Sequence, residues 1–127
     1  MNVPEVAPVT RELTQAMLNA YADASGDHNP IHIDEAFAKT TPMGGTIAHG
    51  MLVLSFISEM MAGAFGPQWL ATGSLDVRFR APARPGDTVT ARATAQDPKD
   101  GRLRYAVECV SQTGEQLISG TAEVQSA

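Results

Sequence analysis

The spacing of apolar positions changes character part-way along the chain. From residue 73 onward, apolar and polar residues alternate: in GSLDVRFRA, Leu75, Val77 and Phe79 share one face while Asp76, Arg78 and Arg80 share the other. A period of two is that of a strand with one buried face. Residues 88–95 (TVTARATA), 103–111 (LRYAVECVS) and 116–124 (QLISGTAEV) read the same way, separated by the turn-forming runs PARPGD, DPKDG and TGE. An antiparallel meander is predicted. Before residue 73 the spacing is helical. Thr14 is placed to cap a helix over QAMLNAYADAS, in which Met17, Leu18 and Tyr21 recur at helical intervals, and Gly26 supplies the stop. Residues 6–12, rich in Val and Thr, predict a short strand ahead of it.

Between the first helix and the apolar stretch lies GDHNPIHI, read as a loop because Gly26, Asn29 and Pro30 favour non-helical backbone. Asp34 then caps a short helix, DEAFAKT, and TPMGGT leads into a longer helix of roughly residues 47–64. Ser55, Ser58 and Glu59 interrupt that apolar run, and a carboxylate near the middle of a bilayer is costly, so a buried core helix is expected rather than a membrane span. A long apolar helix followed by strands with one apolar face predicts an α+β domain, spanning residues 1–127, in which the sheet covers the helix.

Composition narrows the partners. Hydrophobic residues make up 43% and charged residues 18%, ordinary values for a folded domain. With a net charge of −5 and nine scattered Lys and Arg, no nucleic-acid surface is expected. One cysteine, Cys109, excludes an internal disulfide and fits a reducing compartment. The first residues lack the basic-then-apolar order of a secretory signal, so a cytoplasmic location is expected. Cys109 itself sits in an alternating strand and reads as a buried structural thiol.

The unusual residues concentrate in Tyr21-Ala-Asp-Ala-Ser-Gly-Asp-His-Asn-Pro-Ile-His32. This run resembles the S-G-D-x-N-P-[LIV]-H motif of the MaoC-like hydratases, matching at Ser25, Gly26, Asp27, Asn29, Pro30, Ile31 and His32. A second stretch, Gly45-Thr-Ile-Ala-His-Gly-Met-Leu52, is similar to the family's lead into its central helix. Arg78–Val89 looks like its first long strand and the following turn. The resemblance implies a hotdog fold, an antiparallel sheet wrapped around a long central helix. It also implies reversible syn addition of water to a trans-2-enoyl thioester, giving the (R)-3-hydroxyacyl product, in a homodimer whose site binds coenzyme A as part of the substrate and uses no other cofactor and no metal.

That reaction needs a base for water, an acid for the α-carbon and donors for negative charge on the thioester oxygen. The resemblance assigns the water to Asp27 and His32, which a loop bent at Pro30 can bring together, without fixing which is the formal base. Asn29 is expected to hold the loop by bonding to backbone. Gly50, near the start of the long helix where N–H groups lack intrahelical acceptors, is the expected oxyanion donor. Ser58 matches a serine of some relatives but lies about 12 Å further along the helix by rise. His28 falls at the motif's variable position and is expected to face solvent. His49 is expected to cap or pack. A metal group of Asp27, His28, His32 and Asp34 has no zinc-like spacing. Arg78, Arg80, Arg84 and Lys99 are the cations available for coenzyme A phosphates. Two rival functions share these features: a hotdog thioesterase, and an acyl-thioester-binding subunit of a heteromeric dehydratase.

Overall fold

The computed structural model describes residues 3–126. Strand β1 (Val9–Glu12) leads into helix α1 (Gln15–Ser25), and the single-turn helices α2 (Pro30–Ile33) and α3 (Glu35–Ala38) follow. Helix α4 (Gly50–Phe65), the short α5 (Pro67–Thr72) and strands β2 (Ser74–Phe79), β3 (Thr88–Lys99), β4 (Arg102–Val110) and β5 (Gln116–Gln125) complete the chain.

Local chemistry explains most of these boundaries. Thr14 Oγ1 accepts from Met17 N–H at 3.2 Å to start α1, and Gly26, at φ 80°, ends it in the left-handed region that a side chain disfavours. Asp34 caps α3 by accepting from Phe37 N–H. The run GDHNPIHI is only partly a loop: Asn29 Oδ1 accepts from Ile31 N–H and Pro30 occupies the first helical position, so residues 30–33 wind into one turn. Proline at that position has no N–H to leave unpaired and carries a φ already suited to a helix, which is why a residue read as a breaker starts one here. The long helix begins at Gly50, three residues later than its apolar run.

The five strands form one antiparallel sheet in the order β1-β3-β4-β5-β2. The meander therefore comprises only β3 to β5, while β2 crosses to the far side of β5 and pairs Ser74–Phe79 with Glu123–Ile118. Strand period says which face is buried and nothing about which strand is next door. Asp97-Pro98-Lys99 stays in β3, with a register shift between Gln96 and Lys99 that accommodates the proline. The turn itself needs only Asp100 and Gly101, both at positive φ, the pattern of a tight two-residue hairpin. Strand β2 ends at Phe79, so much of Arg78–Val89 is connection rather than long strand.

Helix α4 lies across the sheet, in the hotdog arrangement. Its Val53, Phe56, Ile57, Met60 and Met61 join Val89, Ala91, Leu103, Tyr105, Val107, Ile118 and Val124 of the sheet in one apolar cluster. Each of the larger apolar side chains contributes about 1.5–3 kcal/mol on burial. Glu59 is reconciled with this apolar helix by an ion pair to Arg11 of β1 at the half-exposed rim. Among the described residues, no helix is long and apolar enough to cross a membrane.

Candidate active site

The helical turn α2, the loop before it and the N-terminus of α4 converge at one end of the sheet. Asp27 is held at three points. Its N–H donates to Ser25 Oγ (3.1 Å), its Oδ1 accepts from Asn29 N–H (3.2 Å), and its carbonyl accepts from His49 Nε2 (3.0 Å). Asn29 thus serves the loop twice, as the cap of α2 and as a backbone donor to Asp27. The sequence reading expected bonds of this kind from Asn29 to backbone.

His32 is fixed as firmly. Its Nδ1–H donates to the Ile47 carbonyl at 2.7 Å, which leaves Nε2 with a lone pair in the neutral ring. Gln15 Nε2 donates to the His32 carbonyl (2.8 Å), and the Thr46 hydroxyl donates in turn to Gln15 Oε1 (2.7 Å). Thr46 N–H donates to the Glu35 carboxylate. Polar bonds from α1, α3 and the 46–47 segment therefore set the position of one turn of helix that has no buried residue of its own.

These constraints bring His32 Nε2 to 3.8 Å from Asp27 Oδ2, with the His32 side chain 12% exposed and that of Asp27 53% exposed. That gap is too long for a direct hydrogen bond, yet both atoms can reach a single water at ordinary length, about 2.8 Å. The pair expected from the sequence is assembled, with His32 on a helical turn rather than on an open loop.

Gly50 opens α4, where the first N–H groups have no intrahelical acceptor. A Cβ at this position would stand 3.0 Å from the exposed Phe79 ring, which would have to yield by a few tenths of an ångström. Beside it lies an apolar cavity of about 330 Å³, lined among others by His32, Gly50, Val53, Phe79, Leu117 and Ile118. Arg80 stands at the same cavity, its Nε donating to Ser119 Oγ, whereas Arg84 lines a separate polar hollow with Gln15, Glu35 and Thr46. Arg78 and Lys99 line neither.

Three further side chains named from the sequence lie outside the Asp27–His32 pair. Ser58 accepts from Trp69 Nε1 at 3.0 Å, which ties it to α5. His28 faces solvent and bonds Asp23 at 3.0 Å, and that hydrogen bond raises its pKa above the usual 6.5. Cys109 is buried beneath α4, and burial pushes its thiol up to about 12, which keeps it unreactive.

His49 is the residue that sequence reasoning undervalued. It is 2% exposed, and its ring stacks on that of His32 with centroids 3.8 Å apart and planes 24° apart. Tyr21 lies on it from another side at 4.8 Å. A signal was present: a polar residue at the head of a buried apolar helix needs a partner, and the loop carrying Asp27 supplies one. Asp27, His32 and His49 offer ligand atoms within 4.8 Å of one another, whereas His28 and Asp34 point to other tasks. His49 Nε2 is occupied by the Asp27 carbonyl.

Comparison with known proteins agrees with this geometry. The MaoC like domain family model matches residues 3–116. The (R)-specific enoyl-CoA hydratase of Rhodospirillum rubrum is 32% identical over 120 residues, covering 93% of this chain and 83% of that protein. The (R)-specific enoyl-CoA hydratase of Aeromonas caviae is 30% identical over 131 residues, covering 98% and 95%. The unliganded R-hydratase of Pseudomonas aeruginosa superposes with a TM-score of 0.86 at 31% identity, over 99% of this chain and 82% of that one. The chain belongs to the MaoC-like family of hotdog proteins.

Proposed function

We propose that this chain is an (R)-specific enoyl-CoA hydratase, equally a 3-hydroxyacyl-thioester dehydratase, acting through Asp27, His32 and the N–H of Gly50. The observation that carries the reading is the approach of Asp27 Oδ2 to His32 Nε2, 3.8 Å apart, beside an apolar cavity at the start of α4. Relatives over nearly the whole chain carry the same activity in their names.

The apolar cavity takes the acyl chain and leaves the thioester carbonyl at the N-terminus of α4. There the Gly50 N–H and the helix dipole stabilise negative charge as it develops on the carbonyl oxygen. Water held between Asp27 and His32 gives up one proton to the pair as its oxygen bonds to C3. The pair returns a proton to C2 from the same face, so addition is syn and the enzyme ends in its starting state. Reversal eliminates water from the (R)-3-hydroxyacyl thioester. Coenzyme A enters as part of the substrate, and the assignment gives no role to a metal or redox cofactor.

The protein is assigned as a cytoplasmic homodimer. Strand β2 is a sheet edge with no outer strand partner among the described residues, which suits pairing with a second copy, and Phe79 and Met51, 56% and 58% exposed, lie at the same end. Across such an interface the partner supplies a wall for coenzyme A, and Arg80 is the cation on this chain that lines the cavity.

The test is loss of the enoyl-thioester ultraviolet absorbance with crotonyl-CoA, with chiral analysis of the product, for wild type, Asp27→Asn and His32→Ala. Turnover to the (R)-alcohol, slowed by roughly 10²-fold or more in both folded variants, is expected. Release of free coenzyme A thiol instead would make the protein a thioesterase, and thioester binding without turnover would make it a binding subunit.

A further inference from the structure

We infer that His49 is the positioning residue of this site, fixing through one hydrogen bond and one stacked face where the Asp27 carboxylate and the His32 imidazole meet. The inference rests on the hydratase reading above and adds a residue that the proton transfers themselves do not require.

Two catalytic groups separated by five residues sit on different local structures, Asp27 on irregular backbone and His32 on a helical turn. Within that segment Asn29 ties the Asp27 carboxylate to the start of α2, but the carboxylate and His32 Nε2 do not touch. His49 is the side chain in contact with both. Its Nε2 faces the Asp27 carbonyl oxygen, which can only accept, so Nε2 carries the proton and, in the neutral ring, Nδ1 keeps a lone pair. Its face covers the His32 ring at 3.8 Å. Sitting at the N-cap of α4, one residue before Gly50, it refers both groups to the same helix end that presents the oxyanion donor.

Simple packing does not account for an imidazole here. His49 makes no side-chain capping bond to α4, and its Nδ1 is buried with no partner among the described residues. An apolar ring of the same size would fill the space without burying an unpaired nitrogen, which is unfavourable. What the imidazole adds is the donor to Asp27, and a shift of about 1 Å in a catalytic group is enough to cost on the order of 10²-fold in rate.

Three substitutions separate the two contacts. His49→Gln keeps a donor for the carbonyl, His49→Phe keeps the stacked face, and His49→Ala keeps neither. Crotonyl-CoA hydration should show kcat falling on the order of 10²-fold in the alanine variant, with KM changed by less than about threefold. The glutamine variant should recover about tenfold of that loss and the phenylalanine variant less. Nitrogen NMR of the histidine rings provides a readout that does not depend on turnover. Wild type should show His49 protonated at Nε2 and His32 at Nδ1, with the His32 signals sharp in the glutamine variant and broadened or split in the alanine variant. Equal kcat in all three variants, a loss confined to KM, or His32 signals unmoved by alanine would overturn the inference. Wild type that hydrates no enoyl thioester would remove the hydratase reading alone, and the His32 signals would still decide whether His49 positions that ring.

Discussion

The segment carrying Asp27 and His32 and the three-strand meander β3-β4-β5 are built on opposite plans. The central strand of the meander alternates buried and half-buried residues: Leu103, Tyr105, Val107 and Cys109 of β4 are all at most 3% exposed, and the order of the meander comes from ladder bonds and apolar packing. The segment 26–33 buries none of its residues, and its geometry comes from side chains bonded to backbone, those of Ser25, Asn29, Gln15 and His49. The difference teaches where each kind of damage should appear. Stability should follow the meander, and rate should follow the polar ties of the loop.

The strongest test of that division is Leu103→Ala. Truncating this buried side chain should cost about 2–5 kcal/mol, read by urea unfolding, while the molecules that remain folded keep near-normal kcat. Gly120→Ala comes next. A Cβ there would collide with the Asp76 carbonyl oxygen and stand 2.7 Å from Val77 Cα, so β2 must move away from β5. A loss of about 1–3 kcal/mol is expected, and native mass should shift towards monomer if β2 is the pairing edge.

On the other side of the comparison, Asn29→Ala removes the cap of α2 and should cost about 1 kcal/mol of stability. Its rate loss should be the larger effect: alanine retains the backbone N–H that holds the Asp27 carboxylate, but without the cap on Ile31 that N–H is no longer held in place. A melting temperature that falls as far as in Leu103→Ala, with kcat unchanged, would erase the division between the two regions.

Two smaller effects probe single groups. With its thiol raised to about 12 by burial, Cys109 should resist a thiol reagent at about pH 8 in the native protein and react promptly in denaturant. The folded thiol holds its proton above the usual 9.0, so it should also make stability decline as pH rises past that value. His28 behaves with the corresponding sign. Its hydrogen bond to Asp23 raises the imidazole pKa, so its contribution is present below 6.5 and fades as pH rises through the folded value. Asp23→Asn should return the His28 titration seen by NMR towards its usual position, with little change in melting temperature because the pair is exposed.

Much of the architecture is legible in the sequence wherever a signal spans a few residues. Thr14, Gly26 and Asp34 mark helix ends by bonds or backbone angles within four positions, and the alternation in β2 to β5 marks faces directly. The Ser25–His32 run singles out Asp27, Asn29, His32 and, with the later His-Gly pair, Gly50 as candidates. The error at Pro30–Ile33 is also local: proline reads as a breaker where Asn29 makes it a first helical residue.

What tertiary structure alone decided is what depends on distant partners. No local pattern states that β2 lies beside β5 rather than β3, because period two fixes a face and leaves the neighbour open. His49 meets Asp27 across 22 residues, and Ser58 meets Trp69 across 11, each contact made only after a loop has closed. The chain's own order of residues determined which groups could do chemistry and, within a few positions, where most helices and strands run. Folding decided which of those groups face one another, because that depends on the packing of α4 on the sheet and on the loops it draws together.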